Sequence, residues 1–222
     1  MRLTRSAVLV AVLAALAAAG AAVAVWAPWR AATGRPGSSP AVGGAAPAPG
    51  LQDRQAFRVQ PPTPAQDFVL TDQHGRPFRL SAQKGHPVLL FFGYTHCPDV
   101  CPTTLVTFKS VKELLGERAR NVRFVFITVD PERDTPERLR EHVGYYDPDF
   151  LALWGTPEEI DAVRQAYGIV ATREQQEGAP GGYWIVHTAA SLLVDPQGRL
   201  SALYPFGTSA EEIAADLREL LR

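Results

Sequence analysis

The 222 residues contain only two cysteines, and these stand four apart in the segment Thr95-His96-Cys97-Pro98-Asp99-Val100-Cys101-Pro102. Thiols so spaced where a turn becomes helical share one face, with Cα atoms roughly 6 Å apart, a separation a disulfide tolerates. The same pair can instead share a metal ion. The thiolate is both nucleophile and soft ligand, and the positive end of a helix favours it. A purely stabilising disulfide is the plainer reading, yet closing so short a loop removes little entropy from the unfolded chain. A soft metal would need a third ligand, and imidazole is a suitable companion to two thiolates for copper. Of the five histidines, His74 in a turn, His86 in a polar loop and His142 in a predicted helix read as solvated. His96 adjoins Cys97, but neighbours on a strand point to opposite faces. His187 ends a predicted strand that a mixed sheet could bring beside the cysteine loop, and spacing alone leaves that open.

Asp99 lies between the cysteines, where it either tunes their thiolates or faces solvent, the latter being favoured. Asp130, Arg133 and Asp134 follow a predicted strand and have two readings: a surface near the site where a partner docks, or helix capping with surface salt bridges. The single methionine is Met1, which excludes methionine ligation of copper, and two cysteines exclude a four-cysteine zinc or iron–sulfur site within one chain.

Stepping along the chain, Asp67 to Leu70 and Phe78 to Leu80 flank a polar turn and predict a hairpin. Pro87 to Tyr94 (PVLLFFGY) is a continuous apolar run, as expected of a strand buried on both faces, and it leads into the cysteine loop. A helix is predicted from near Pro102 to Gly116, then a second buried strand over Val122 to Val129, then a helix capped by Thr135. Phe150 to Trp154 predicts a short strand, and Thr156-Pro157-Glu158-Glu159 a capping box that opens a helix ending at Gly168. Ile169 to Thr172 and Tyr183 to His187 predict strands joined by a loop, Arg173 to Gly182, that flanks or covers the site. Ser191 to Val194 and Leu200 to Tyr204 form a hairpin, and a second capping box, Ser209 to Glu212, opens the last helix. The expected class is α/β: a thioredoxin-like mixed β-sheet flanked by helices.

Before this domain, Arg2 and Arg5 precede an uncharged run from Ala7 to Ala27, long enough as a helix to span about 30 Å, and Trp26 and Trp29 stand at its far end. We expect a single N-terminal transmembrane helix within residues 1–30, a long signal peptide being the alternative. A flexible Ala/Gly/Pro linker over 31–55 follows, then the domain at 56–222. The positive-inside rule exports the domain, so the expected location is the outer, periplasmic side of a bacterial cytoplasmic membrane. Nineteen arginines against three lysines agree with a GC-rich bacterial genome. A formal net charge of -1 gives no global signal for nucleic acid, and a monomer is expected.

Phe92-Gly93-Tyr94-Thr95-His96-Cys97-Pro98-Asp99-Val100-Cys101-Pro102-Thr103-Thr104-Leu105 closely resembles the copper-site segment of the Sco/SenC proteins, and Val129 to Pro136 (VDPERDTP) resembles their second signature. The resemblance covers about residues 60–222. It implies copper, as Cu(I) or Cu(II), on Cys97, Cys101 and His187, and a metallochaperone that delivers copper to the CuA site of cytochrome c oxidase subunit II or reduces its thiols. A copper donor chaperone and a thiol reductant are the further partners implied. The family often carries an aspartate just before the histidine, where this chain has Val186, so carboxylate support from that position is missing. Two other functions fit the same pair of sulfurs: a thiol–disulfide oxidoreductase using Cys97 and Cys101, and a redox or copper sensor. The CxxxC spacing and the lack of a proline near His187-Thr188-Ala189 weigh against general disulfide exchange.

Overall fold

The computed structural model describes residues 56–222. The expected membrane anchor and the linker lie outside these residues. No helix among the described residues is long and apolar enough to cross a membrane.

Strand β4, Val88–Gly93, is buried along its whole length, and its apolar side chains reward that burial by about 1.5–3 kcal/mol each. It pairs in parallel with β5, Arg123–Thr128, and β5 in parallel with β6, Leu151–Trp154. On the other side β4 runs antiparallel to β9, Ala190–Val194, which forms a hairpin with β10, Arg199–Pro205. With β1 (Phe57–Pro64), β2 (Val69–Asp72) and β3 (Pro77–Arg79), these make an eight-stranded mixed sheet in the order β1-β10-β9-β4-β5-β6-β2-β3. Strands β7, Ala171–Gln175, and β8, Tyr183–His187, pair only with each other in a separate two-stranded sheet.

Helices cover both faces. Alternate residues of a strand face opposite ways, so Phe91 and Phe92 mark the two sides of β4. Phe91 meets Phe108 of α1 (Val100–Leu115), while Phe92 meets Tyr167, the C-terminal cap of α3 (Pro157–Ala166). On the Phe91 side, Phe126 of β5 carries His142 of α2 (Pro136–Tyr146). The last helix is α4, Ala210–Leu220, and it packs on α1.

Local signals explain the ends. The Thr135 side chain accepts from the Arg138 amide, and Thr156 with Glu159 completes a reciprocal capping box, as the sequence predicts. At α4 the predicted box is only half made. Ser209 accepts from the Glu212 amide, but the Glu212 carboxylate turns away to accept from the Ala56 amide at the start of the domain. Two turns share one design: Asp72 and Asp195 each accept from the amides two and four residues on and from the Nε of the arginine at the fourth.

Two differences from the sequence reading matter. Strand β1 is absent from that reading because Pro61, Pro62 and Pro64 interrupt it and its exposed residues show no alternation. It survives as an edge strand beside β10, where prolines are tolerated. Helix α1 begins at Val100 rather than near Pro102, which places Cys101 inside the first helical turn.

Candidate metal centre

The cysteine loop is held from below by the end of the central sheet. The Asp134 carboxylate accepts from the Thr95 amide at 3.1 Å, the Thr95 hydroxyl at 2.6 Å and the Thr128 hydroxyl at 2.7 Å, tying the chain leaving β4 to the end of β5. Burial raises the Asp134 pKa against these bonds. The Cys97 amide donates to the Tyr94 carbonyl and closes the loop's first turn.

Cys101 is fully buried, whereas Cys97 reaches the surface with 9% of its area exposed. The Cys101 thiol lies in a niche beside β4 that exists because residue 93 is glycine. A Cβ there would stand 2.8 Å from Cys101 Sγ, 2.8 Å from a Phe126 ring carbon and 2.9 Å from a Phe91 ring carbon. The sulfurs are not bonded to each other. The Cys101 amide donates to Cys97 Sγ at 3.3 Å, and Cys101 Sγ lies 3.7 Å from His187 Nε2. The three donor atoms of Cys97, Cys101 and His187 all fall within 4.8 Å of one another.

These contacts divide the two thiols. A hydrogen bond from the Cys101 thiol, with the amides of Cys101 and Asp99, works against burial and brings Cys97 down to about 4. Burial, and then the negative Cys97 beside it, push Cys101 well above the usual thiol range. The two shifts oppose each other, so of the pair Cys97 is the sulfur drawn toward the thiolate form and Cys101 the one held toward the thiol.

His187 is partly exposed at the end of β8, edged by the rings of Phe91 and Tyr94. Its Nδ1 lies 3.1 Å from the Thr188 carbonyl, which can only accept, so Nδ1 carries the proton and Nε2 offers its lone pair toward the sulfurs. A backbone carbonyl thus supplies the orientation that a carboxylate at position 186 would have given. Val186 itself is 55% exposed. Beside the three donors lies an open, largely apolar cavity of about 330 Å³ lined by Tyr94, Pro98, Val100, Trp184 and Val186 among others.

The remaining candidates fall away from the centre. His96 faces the other way, its Nε2 toward Arg138 at 3.1 Å and its Nδ1 toward Thr95. One of its ring nitrogens also lies within 4.8 Å of carboxylate oxygens of Asp130 and Asp134. The oxygens of those two carboxylates are already taken by Arg133, Tyr183, Thr95 and Thr128, which leaves no built site there. His74 sits in the Asp72 turn, and His86 Nδ1 lies 2.9 Å from the Asn121 carbonyl. His142 is not solvated as expected: its ring packs on Phe126 and Tyr146, and its Nε2 is buried without a partner. Asp99 is exposed and its side chain caps nothing.

The docking expectation for Asp130, Arg133 and Asp134 needs correction. Both aspartates are fully buried and the Arg133 side chain is only 13% exposed, because all three are spent on contacts within the chain. No residue of the loop 173–182 lines the cavity beside the donors: Arg173 to Gln175 extend β7, and Pro180 and Gly181 wrap Arg133. Sequence reasoning missed this Arg133 cluster and the Thr188 carbonyl. Only the second-signature aspartates hinted at the former, and a backbone acceptor leaves no trace in sequence.

A mixed sheet flanked by helices, with two cysteines at the strand-to-helix junction and a histidine facing them from a separate hairpin, defines a thioredoxin-like domain with a Cys2His centre. The SCO1/SenC family pattern matches residues 58–222, and the chain belongs to that family. The structure of Bradyrhizobium japonicum ScoI with copper bound is 40% identical, with a TM-score of 0.66 over 71% of this chain and 99% of that one. The solution structure of apo Sco1 from Thermus thermophilus is also 40% identical, with a TM-score of 0.67 over 74% of this chain and 95% of that one. A SCO2-like protein of Rickettsia prowazekii is 36% identical over 146 residues, 66% of this chain and 71% of its own length.

Proposed function

We propose that this chain is a copper metallochaperone that holds copper on Cys97, Cys101 and His187 and delivers it to the CuA site of cytochrome c oxidase subunit II. The convergence of those three donor atoms carries the reading. Two sulfurs satisfy Cu(I), and the imidazole nitrogen helps hold Cu(II), so one centre accommodates both oxidation states. The similarity to a copper-bound ScoI supports the choice of metal, and the Sco family of cytochrome c oxidase assembly proteins supports the destination. The chain works from an N-terminal membrane anchor, with its domain on the periplasmic side. Release proceeds by ligand exchange, an incoming thiolate taking the metal as His187 leaves.

A second reading rests on the divided thiols. A surface thiolate with a buried partner thiol is also the arrangement of a disulfide reductase: Cys97 attacks a disulfide, expelling one of its sulfurs as a thiolate, and Cys101 then resolves the mixed disulfide and becomes oxidised. Acting on the oxidised CuA cysteines, it would reduce them for metal loading.

Copper binding by the reduced chain separates the two. Stoichiometric copper with thiolate-to-Cu(II) absorption, lost in Cys97→Ser and Cys101→Ser and altered in His187→Ala, is the result expected of a carrier. No copper binding together with rapid exchange on disulfide substrates would replace the carrier with the reductase.

A further inference from the structure

The two-stranded sheet that carries His187 shares no backbone ladder with the main sheet, so something else must set where the histidine stands. Near the site it is tied by the Ile185 amide, which donates to the Tyr94 hydroxyl at 3.2 Å, by the Phe91 and Tyr94 rings that edge His187, and by Thr188 and Ala189, which lead directly into β9. At the far end the ties converge on one side chain. Arg133 donates from Nε to Asp130 and from Nη1 to the carbonyls of Pro180 and Tyr183, the last at 3.0 Å, and its guanidinium lies 3.6 Å from the centre of the Tyr183 ring. Tyr183 in turn donates its hydroxyl to the second oxygen of Asp130 at 2.8 Å. Asp130 is anchored to β5 through its amide, which donates to Thr128. The loop is shaped to the arginine: Gly181, at φ 70°, brings its backbone so close that a Cβ would stand 3.1 Å from Arg133 Cδ.

We propose that Arg133, with Asp130 and Tyr183, is a latch that positions His187 against the cysteines. Tyr183, Ile185 and His187 alternate onto one face of β8, and Tyr183 lies about 13 Å from the histidine at a strand rise of about 3.3 Å per residue. Fixing Tyr183 therefore fixes the tilt of β8, and a small lift at the latch moves the imidazole away from the sulfurs. Cys97 stands in the loop after β4 and Cys101 in the first turn of α1, and the latch's own contact on that side is the Arg133 guanidinium, 5.8 Å from the centre of the Tyr94 ring. The exposed Arg173–Glu132 pair beside the latch adds little.

This rests on the copper reading, and the test keeps the two apart. Arg133→Lys retains the charge beside buried Asp130 but loses the planar fork that joins Asp130, through Nε, to the two carbonyls, through Nη1, while Tyr183→Phe removes a single hydroxyl and preserves packing. In the metal-free full chain, both variants are expected to raise amide exchange in β7 and β8 by on the order of tenfold, leave β4, β5 and α1 unchanged, and shift the His187 ring resonances. With copper, both move the Cu(II) absorption toward that of His187→Ala, keep Cu(I) on the two sulfurs, and change nothing further in the His187→Ala background. Unchanged hairpin exchange and ring resonances overturn the latch, as does a copper effect that adds in full to that of His187→Ala. Wild-type chain that binds no copper removes the carrier reading, and the metal-free measurements still decide the latch.

Discussion

The two halves of the Cys2His centre are built from different materials. Cys97 and Cys101 sit where β4, buried along its length between β9 and β5, passes into a sixteen-residue helix, and the niche for Cys101 is closed by aromatic rings. His187 sits on a five-residue strand in a sheet of two, where only Tyr183 and Ile185 are buried, and where hydrogen bonds and two guanidinium groups over the Tyr183 ring supply much of the hold. Apolar packing makes the first half costly to deform; directional polar ties make the second half adjustable at few points. In the proposed carrier, a centre that binds a metal and also gives it up would gain from that asymmetry, with two ligands fixed and one on a separate support.

The contrast can be broken most severely in the core. Leu90→Ala in β4 is expected to lower stability by about 2–5 kcal/mol, whereas Val186→Ala in β8 should stay within about 0.5 kcal/mol, both read from denaturant unfolding. Gly93→Ala forces a methyl group onto the Cys101 sulfur. The expected cost is about 1–3 kcal/mol in unfolding, together with loss of tight Cu(I) binding in a competition titration, while hairpin exchange stays at the wild-type rate.

The thiols sharpen the comparison by pH. Cys97 is depressed to about 4, so its ionisation stabilises the fold fully above the usual thiol pKa, and this contribution fades as pH falls toward about 4. Thiolate ultraviolet absorbance in the metal-free protein should therefore show one sulfur ionised well below neutrality. Cys101→Ala removes the donor to Cys97 and should move that midpoint upward; a wild-type midpoint near the free-thiol value would refute the assignment. The smallest effect is expected at Val186→Asp. The Thr188 carbonyl already holds His187 Nδ1, so a carboxylate there should change copper affinity by only a few-fold, against the about 10–100-fold typical when such support is removed.

Much of the rigid half was legible in sequence. The apolar run before the cysteines reads as a buried strand, Thr135 and Thr156 mark helix starts, and the spacing of Cys97 and Cys101 puts two sulfurs together. The adjustable half was not. His187 was one of several histidines until the family resemblance singled it out, because a partner 86 residues earlier in the chain is chosen by tertiary packing. Asp130 and Asp134 look like surface charges, and only the fold shows them buried under Arg133, Thr95 and Thr128. The Glu212 carboxylate has the spacing of a capping box, yet a nearby amide from the other end of the domain wins it.

The edges of the large sheet have a consequence for how the domain behaves in a crowd. An open sheet offers a row of unpaired amides and carbonyls at each side, a template on which a second molecule can extend the sheet and begin an aggregate. Here one border is β1, broken by three prolines, and the other is β3, three residues long and opening on Pro77. Neither offers a long run of donors. Crowded beside its own copies, the domain is thereby guarded against edge-to-edge association by the same prolines that hide its first strand from a reader of the sequence.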